Sequence, residues 1–241
     1  MNKIWIIARR ELSTFFDSLM AYILIVVFLG FTGFFTWLLG SDIFFVGQAS
    51  LQSFFGVAYW TLFILIPAMT MRMIAEEKKS GTLELLLTKP VSDWQVVLGK
   101  FLAILLLIGI SLALTLPYYI TVANLGPIDH GAVWCGYLGL ILMSASYISI
   151  GIFTSSITNN QIVSFLLALL IGIFFHWIFS ILAGNFSGLV GGIFSFLSVS
   201  SHYESVSRGV IDSKDLIFFF SLILLGLIAS EASLAKRNIV D

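Results

Sequence analysis

Four stretches of the chain carry no Asp, Glu, Lys or Arg: Ser18 to Ser41, Ile43 to Met71, Phe101 to Ile128 and Gly131 to Tyr203. They run 24, 29, 28 and 73 residues. A helix rises ~1.5 Å per residue, so ~20 apolar residues cross a ~30 Å hydrocarbon layer. The first three stretches each hold one crossing and the last holds two. A further apolar run near the C-terminus makes a sixth, with Glu231 in its last turn, where an interfacial position makes a charge cheap. The predicted helices span roughly 19–40, 54–74, 94–123, 133–157, 162–183 and 215–234. Thr158-Asn159-Asn160-Gln161 interrupts the longest stretch and reads as a tight turn.

The segments outside the crossings have patterns of their own. Ile4, Trp5, Ile7, Ala8, Leu12, Phe15, Phe16 and Leu19 recur at helical spacing, with Lys3, Arg9, Arg10, Glu11 and Asp17 between them. That pattern predicts an amphipathic helix over residues 1–18, lying flat at the membrane interface. The alternative is an extension of the first crossing. Ser92-Asp93-Trp94-Gln95 matches a capping box and starts the third crossing near Asp93. Before it, Gly81 and Pro90 bracket Thr82, Leu83, Glu84, Leu85, Leu86, Leu87, Thr88 and Lys89. Leucines exposed on a two-turn helix need another surface to cover them. Either they fold back on the membrane interface or the bundle, or they dock a cytoplasmic protein, with flanking Lys and Glu setting register. Residues 184–212 are too broken for a crossing and too apolar for a solvated loop. They read as a re-entrant or interfacial helical hairpin on the outer side, with Gly188 and Gly192 offering close packing.

Composition agrees with a membrane protein. The chain is 59% hydrophobic and only 10% charged, against about 25% charged in soluble domains. A net charge of -1 gives no electrostatic case for nucleic acid. The first apolar run follows some seventeen mixed residues, which is not the pattern of a cleavable signal. Lys3, Arg9, Arg10, Arg72, Lys78, Lys79, Lys89, Lys100, Lys236 and Arg237 fall on one side of the crossings, and only Arg208 and Lys214 on the other. This imbalance places both termini and the Arg72–Lys100 segment in the cytoplasm. Trp5, Trp60, Trp94, Trp134 and Tyr137 fall near crossing ends, as interfacial aromatics do.

Catalytic chemistry is missing. Gly99-Lys100 is followed by Phe101, and Trp94 stands where a phosphate-binding loop has its leading glycine. Cys135 is the single cysteine, so no intrachain disulfide forms, and no Cys/His spacing suggests zinc. His130 and His202 read as solvated outer residues, and His176 as a hydrogen-bonded packing histidine in the fifth crossing. No catalytic residue, cofactor or metal is expected. Without mid-membrane carboxylates or an internal repeat, an ion-coupled secondary carrier is disfavoured.

The run Glu76-Glu77-Lys78-Lys79-Ser80-Gly81-Thr82-Leu83-Glu84-Leu85-Leu86-Leu87-Thr88-Lys89-Pro90-Val91-Ser92, leading into Val96-Val97-Leu98-Gly99-Lys100, resembles the cytoplasmic loop of ABC-2-type transporter permeases. Leu197-Ser198, His202-Tyr203-Glu204 and Arg208-Gly209-Val210-Ile211-Asp212 look like that family's outer segment. The N-terminal Ile6-Ala8-Arg9-Arg10-Glu11-Leu12 pattern looks most like the gliding-motility-associated permease subunit of Bacteroidota. The resemblance implies an all-α, six-crossing domain over residues 1–241 in a bacterial inner membrane. It implies a homo- or heterodimer of permeases, a separate cytoplasmic ATPase dimer, and a partner permease bearing a large periplasmic domain. By position, the ATPase-docking residues are Glu77, Gly81, Thr82, Leu83, Glu84, Leu85, Leu86, Leu87 and Pro90. The expected function is coupling of ATP hydrolysis on that ATPase to transport or mechanical work, linked to gliding motility. The competing class is a non-transporting scaffold or transducer that drives an outer partner, favoured by the scarcity of ionisable residues in the crossings.

Overall fold

The computed structural model describes residues 3–38, 49–82 and 91–236. Leu83, Glu84, Leu85, Leu86, Leu87 and Pro90 of the expected docking set lie outside the described residues. Twelve α-helices are numbered in chain order, and no strand occurs among the described residues.

An amphipathic helix α1 (Lys3–Asp17) leads into α2 (Met20–Trp37). Leu19 between them has φ 60°, which breaks the helix. The N-terminal segment is therefore a separate helix and not an extension of the first crossing. Its inward stripe is Ile7, Ala8, Glu11 and Phe15, spaced at three to four residues, while Trp5 and Ile6 stay exposed. The second crossing, α3 (Gln52–Thr70), ends in a turn at 71–74 and continues as the short α4 (Ala75–Ser80). The third begins with α5 (Asp93–Ala113) and is broken before Pro117, giving α6 (Leu116–Leu125). The fourth is α7 (His130–Ile157). The fifth runs as α8 (Gln161–Ile173), a π-helical turn (Phe174–Ile178) and α9 (Phe179–Asn185). Two short helices, α10 (Gly188–Leu197) and α11 (Val199–Ser207), precede the sixth, α12 (Ser213–Ala235). Six of these helical stretches are long and apolar enough to span a bilayer. An even number of crossings returns the chain to the side it started from.

The fourth crossing is the axis of the bundle. Helix α7 packs against α3, α5, α8, α11 and α12. Small residues make this possible, because apolar side chains gain nothing by leaving lipid for protein and packing must come from close approach. A Cβ on Gly226 of α12 would meet Ser149 Cβ of α7 at 2.8 Å. Most serines of α7 bond within their own helix, as Ser146 does to Leu142 O at 3.1 Å. That satisfies their hydroxyls without water.

Two local expectations change. His202 is buried and not solvated: its Nδ1 lies 2.6 Å from Asp215 Oδ1 and its Nε2 lies 2.8 Å from the Phe196 carbonyl. Helix α10 packs against α9, and the close-packed glycine is Gly191, whose Cβ would strike the Phe186 carbonyl. Gly188 has φ 71° at the start of α10, and Gly192 faces open space. His176 agrees with its sequence reading: it is buried and accepts from or donates to the Tyr147 hydroxyl at 2.8 Å.

Candidate coupling site at the terminal end of the bundle

Helix α4 is held where it is by α7. At its start, the Ser155 hydroxyl accepts from the backbone N–H groups of Ile74 and Ala75, both at 3.0 Å, and donates to the Met71 carbonyl at 3.0 Å. One side chain thus satisfies three backbone groups exposed by the turn after α3. Farther along, the Lys78 ammonium donates to the Ser156 carbonyl, which also accepts from Ser233 Oγ at 3.1 Å. Gly81 then ends the helix in the left-handed region, φ 70°, where a glycine carries no steric penalty. The Ser80 and Thr82 hydroxyls meet at 2.8 Å just beyond. On the far side of the leucine segment, Ser92 and Gln95 form the predicted capping box. Gln95 N–H donates to Ser92 Oγ at 3.3 Å, and Ser92 N–H to Gln95 Oε1 at 3.2 Å.

The centre of the site is Lys100. It is 1% exposed on α5. Glu77 of α4 accepts from its ammonium at 2.8 Å, and Glu11 of α1 at 3.4 Å. Arg10 bonds Glu11 and lies 3.6 Å from Glu77. Two cations and two carboxylates therefore tie three helices that are distant in sequence. Burial alone would raise the Glu11 carboxyl, but Lys100 and Arg10 more than offset it, and its pKa falls below the usual value. Glu77 Oε2 is buried without a hydrogen-bond partner among the described residues.

Packing completes the junction. Helix α1 lies against α5, and a Cβ on Gly99 would come within 2.6 Å of Ile7 Cγ2 and 3.2 Å of the Ile4 carbonyl. Only glycine lets the two helices approach this closely. Arg72 reaches back from the turn after α3 to stack over the Phe15 ring, 5.1 Å from its centroid, and to donate to Ser18 Oγ at 3.2 Å. A polar cleft of ≈ 380 Å³ lies along this junction, bordered by Arg10, Thr14, Arg72, Glu76, Ser80 and Thr82.

Of the sequence-predicted docking residues, the structure describes Glu77, Gly81 and Thr82 and places all three at this junction. Sequence reading took Lys100 as one more charge on the cytoplasmic side and gave Gly99 no role. It missed Ser155 entirely. The available signal was weak: Lys100 lies two turns beyond the Ser92 cap, already on the apolar helix. No group of His, Cys, Asp and Glu among the described residues is arranged to hold a metal ion.

A search of curated proteins returns no match for this chain. A family model described as "ABC-2 family transporter protein" matches residues 42–230. Proteins of that family are membrane components without catalytic activity of their own, and they generally dimerise and work with a cytoplasmic ATPase. The match covers most of the crossings and both segments between them described above, so this chain belongs to the ABC-2 transporter family as a multi-pass permease subunit.

Proposed function

We propose that the 75–92 segment of this permease subunit docks a separate cytoplasmic ATPase, and that the Lys100 cluster carries its motion into the membrane. The observation behind this is the bonding of Lys100 to both Glu77 and Glu11. Helix α4 enters the docking segment, α5 leaves it, and α1 is clamped to both. A displacement of the leucines at 83–87 therefore moves α1 and the third crossing as one body, which is what a two-state transmission element requires. In this reading both termini are cytoplasmic, the membrane is a bacterial inner membrane, and nucleotide-driven closure of the ATPase pair opens or closes a path at the permease dimer interface. The N-terminal pattern supports a gliding-motility complex with a second permease that carries a periplasmic domain.

The test is recovery of the ATPase with affinity-purified permease carrying Leu85→Asp and Leu86→Asp. Loss of the ATPase with the permease still folded is expected. Undiminished recovery removes the docking claim. A second reading, a transducer that moves an outer partner without transport, is favoured by the scarcity of ionisable side chains within the crossings. It predicts a copurifying periplasmic protein and no stimulation of ATPase activity by any transported solute.

A further inference from the structure

At the end of the bundle opposite the termini, a cleft of ≈ 690 Å³ opens among α3, the start of α7, the fifth crossing and α11. Its wall includes Tyr59, Trp60, Trp177 and Tyr203, and its rim carries Asp129, Glu204 and Arg208. Trp60 and Trp177 are each about half exposed and meet edge to face, with centroids 6.5 Å apart. The buried Tyr59 hydroxyl lies beside Ser200 without a hydrogen bond of good geometry. A second cavity, ≈ 400 Å³, runs between α2 and α3 and is walled almost wholly by hydrocarbon: Val27, Phe31, Phe35, Val57, Ile64 and Leu65 among others. The two cavities share Gly56 and Trp60. A Cβ on Gly56 would meet nothing within 4 Å, so this glycine leaves open space where the two linings meet.

The dimensions are those of a lipid. The groove follows α2 from Val27 to Phe35 and α3 from Gly56 to Leu65, which is ~12–13 Å along either helix axis. One leaflet of a ~30 Å hydrocarbon layer is ~15 Å deep. The chain-shaped groove thus starts at a polar, aromatic cleft and descends toward the bilayer midplane.

The rim selects the headgroup. A purely anionic head would set its charge against Asp129 and Glu204, and a purely cationic head would meet Arg208. Glu204 and Arg208 are four residues apart on or next to one helical turn, with Cβ atoms ≈ 5–6 Å apart. Arg208 donates through Nε to the Glu204 carbonyl at 3.1 Å and makes no ion pair among the described residues. Its terminal nitrogens suit a phosphate. The carboxylates and the two indole faces suit an ammonium. A head that carries both charges satisfies the whole rim.

We infer that this paired cavity binds one zwitterionic phospholipid, its headgroup in the aromatic cleft and an acyl chain in the α2–α3 groove. The site does not depend on ATPase docking. The probe is a phosphatidylethanolamine with a photoactivatable diazirine in one acyl chain, added to the full chain in membranes with whatever subunits it retains. Adducts are expected on the α2 and α3 peptides that hold Phe31, Val57, Ile64 or Leu65. Gly56→Leu fills the space where the two linings meet and lowers that labelling about tenfold, and Arg208→Ala does the same through the lost phosphate contact. Gly56→Ala, whose methyl meets open space, leaves it unchanged and controls for folding. If Gly56→Leu does not fold, Arg208→Ala decides the matter alone. Equal labelling by the matching phosphatidylglycerol, labelling insensitive to Arg208→Ala, or cross-links showing a second copy of the chain seated in the groove would each overturn the inference.

Discussion

Replacing Lys100 with methionine tests whether the charge cluster holds the junction together. The substitution keeps most of the side chain's apolar bulk and removes only the ammonium. Its two partners are then left facing each other inside the protein, with side-chain exposures of 11% for Glu11 and 21% for Glu77. Breaking a fully buried pair by removing one partner costs about 3–5 kcal/mol. Glu77 is partly wet, and Arg10 at 3.6 Å continues to compensate it, so the cost here falls below that range, to about 2–3 kcal/mol. For a chain of this length that is a fall of roughly 5–10 °C in Tm. Glu11→Gln and Glu77→Gln combined with Lys100→Met remove the stranded charges, and most of the loss should return. The assay is thermal unfolding in mild detergent, with hydrogen exchange across α1 read in parallel. Faster exchange throughout α1 is expected in the single variant. A Tm within about a degree of wild type, or a triple variant no better than the single, refutes the reasoning.

Other perturbations probe the same junction from different sides. Gly99→Ala puts a methyl against Ile7 and the Ile4 carbonyl, an overpacking worth about 1–3 kcal/mol, and Ile7→Ala should relieve most of it; cysteine accessibility along α1 reads the displacement. Ser155→Ala orphans two backbone N–H groups and loses a bond to a carbonyl, costing about 2–3 kcal/mol, while Ser155→Thr, which keeps the hydroxyl, should cost less. The Glu11 carboxyl has a lowered folded-state pKa, so its contribution is complete above the ordinary value of 4.5 and is lost as pH falls through the lowered one. The Tm gap between wild type and Glu11→Gln should therefore be constant at neutral pH and close only in acid below that value.

The crossings were legible because lipid imposes a simple rule on sequence: long runs without charge. The turn at 158–161 was legible for a related reason. Polar residues there break an apolar run, and Asn160 does cap α8 by accepting from Ile162 N–H at 2.9 Å. The capping box at Ser92 is a local device, set by residues three apart, and so it too could be read directly. What could not be read was pairing at long range. Lys100 lies 89 residues from Glu11, and nothing in hydropathy says which carboxylate a buried lysine will find. His202 was misplaced because its neighbours in sequence are polar, while its partners Asp215 and Phe218 come from the next helix. The π-helical turn that carries His176 between Tyr59 and Phe63 has no sequence signature of its own. Of the proposed docking segment, the sequence showed an apolar stub needing cover. The structure adds the clamp at its base, built from Glu77, Lys100 and Glu11.

The central claim is that the 75–92 segment touches an ATPase in the assembled complex. The most direct measurement places a photoreactive residue at Leu85 in the intact membrane-bound complex and identifies what it captures by mass spectrometry. The account predicts an adduct with the ATPase, lost when its nucleotide-binding subunit is stripped away. Capture of lipid or of this chain's own crossings alone, with the ATPase present, would contradict it.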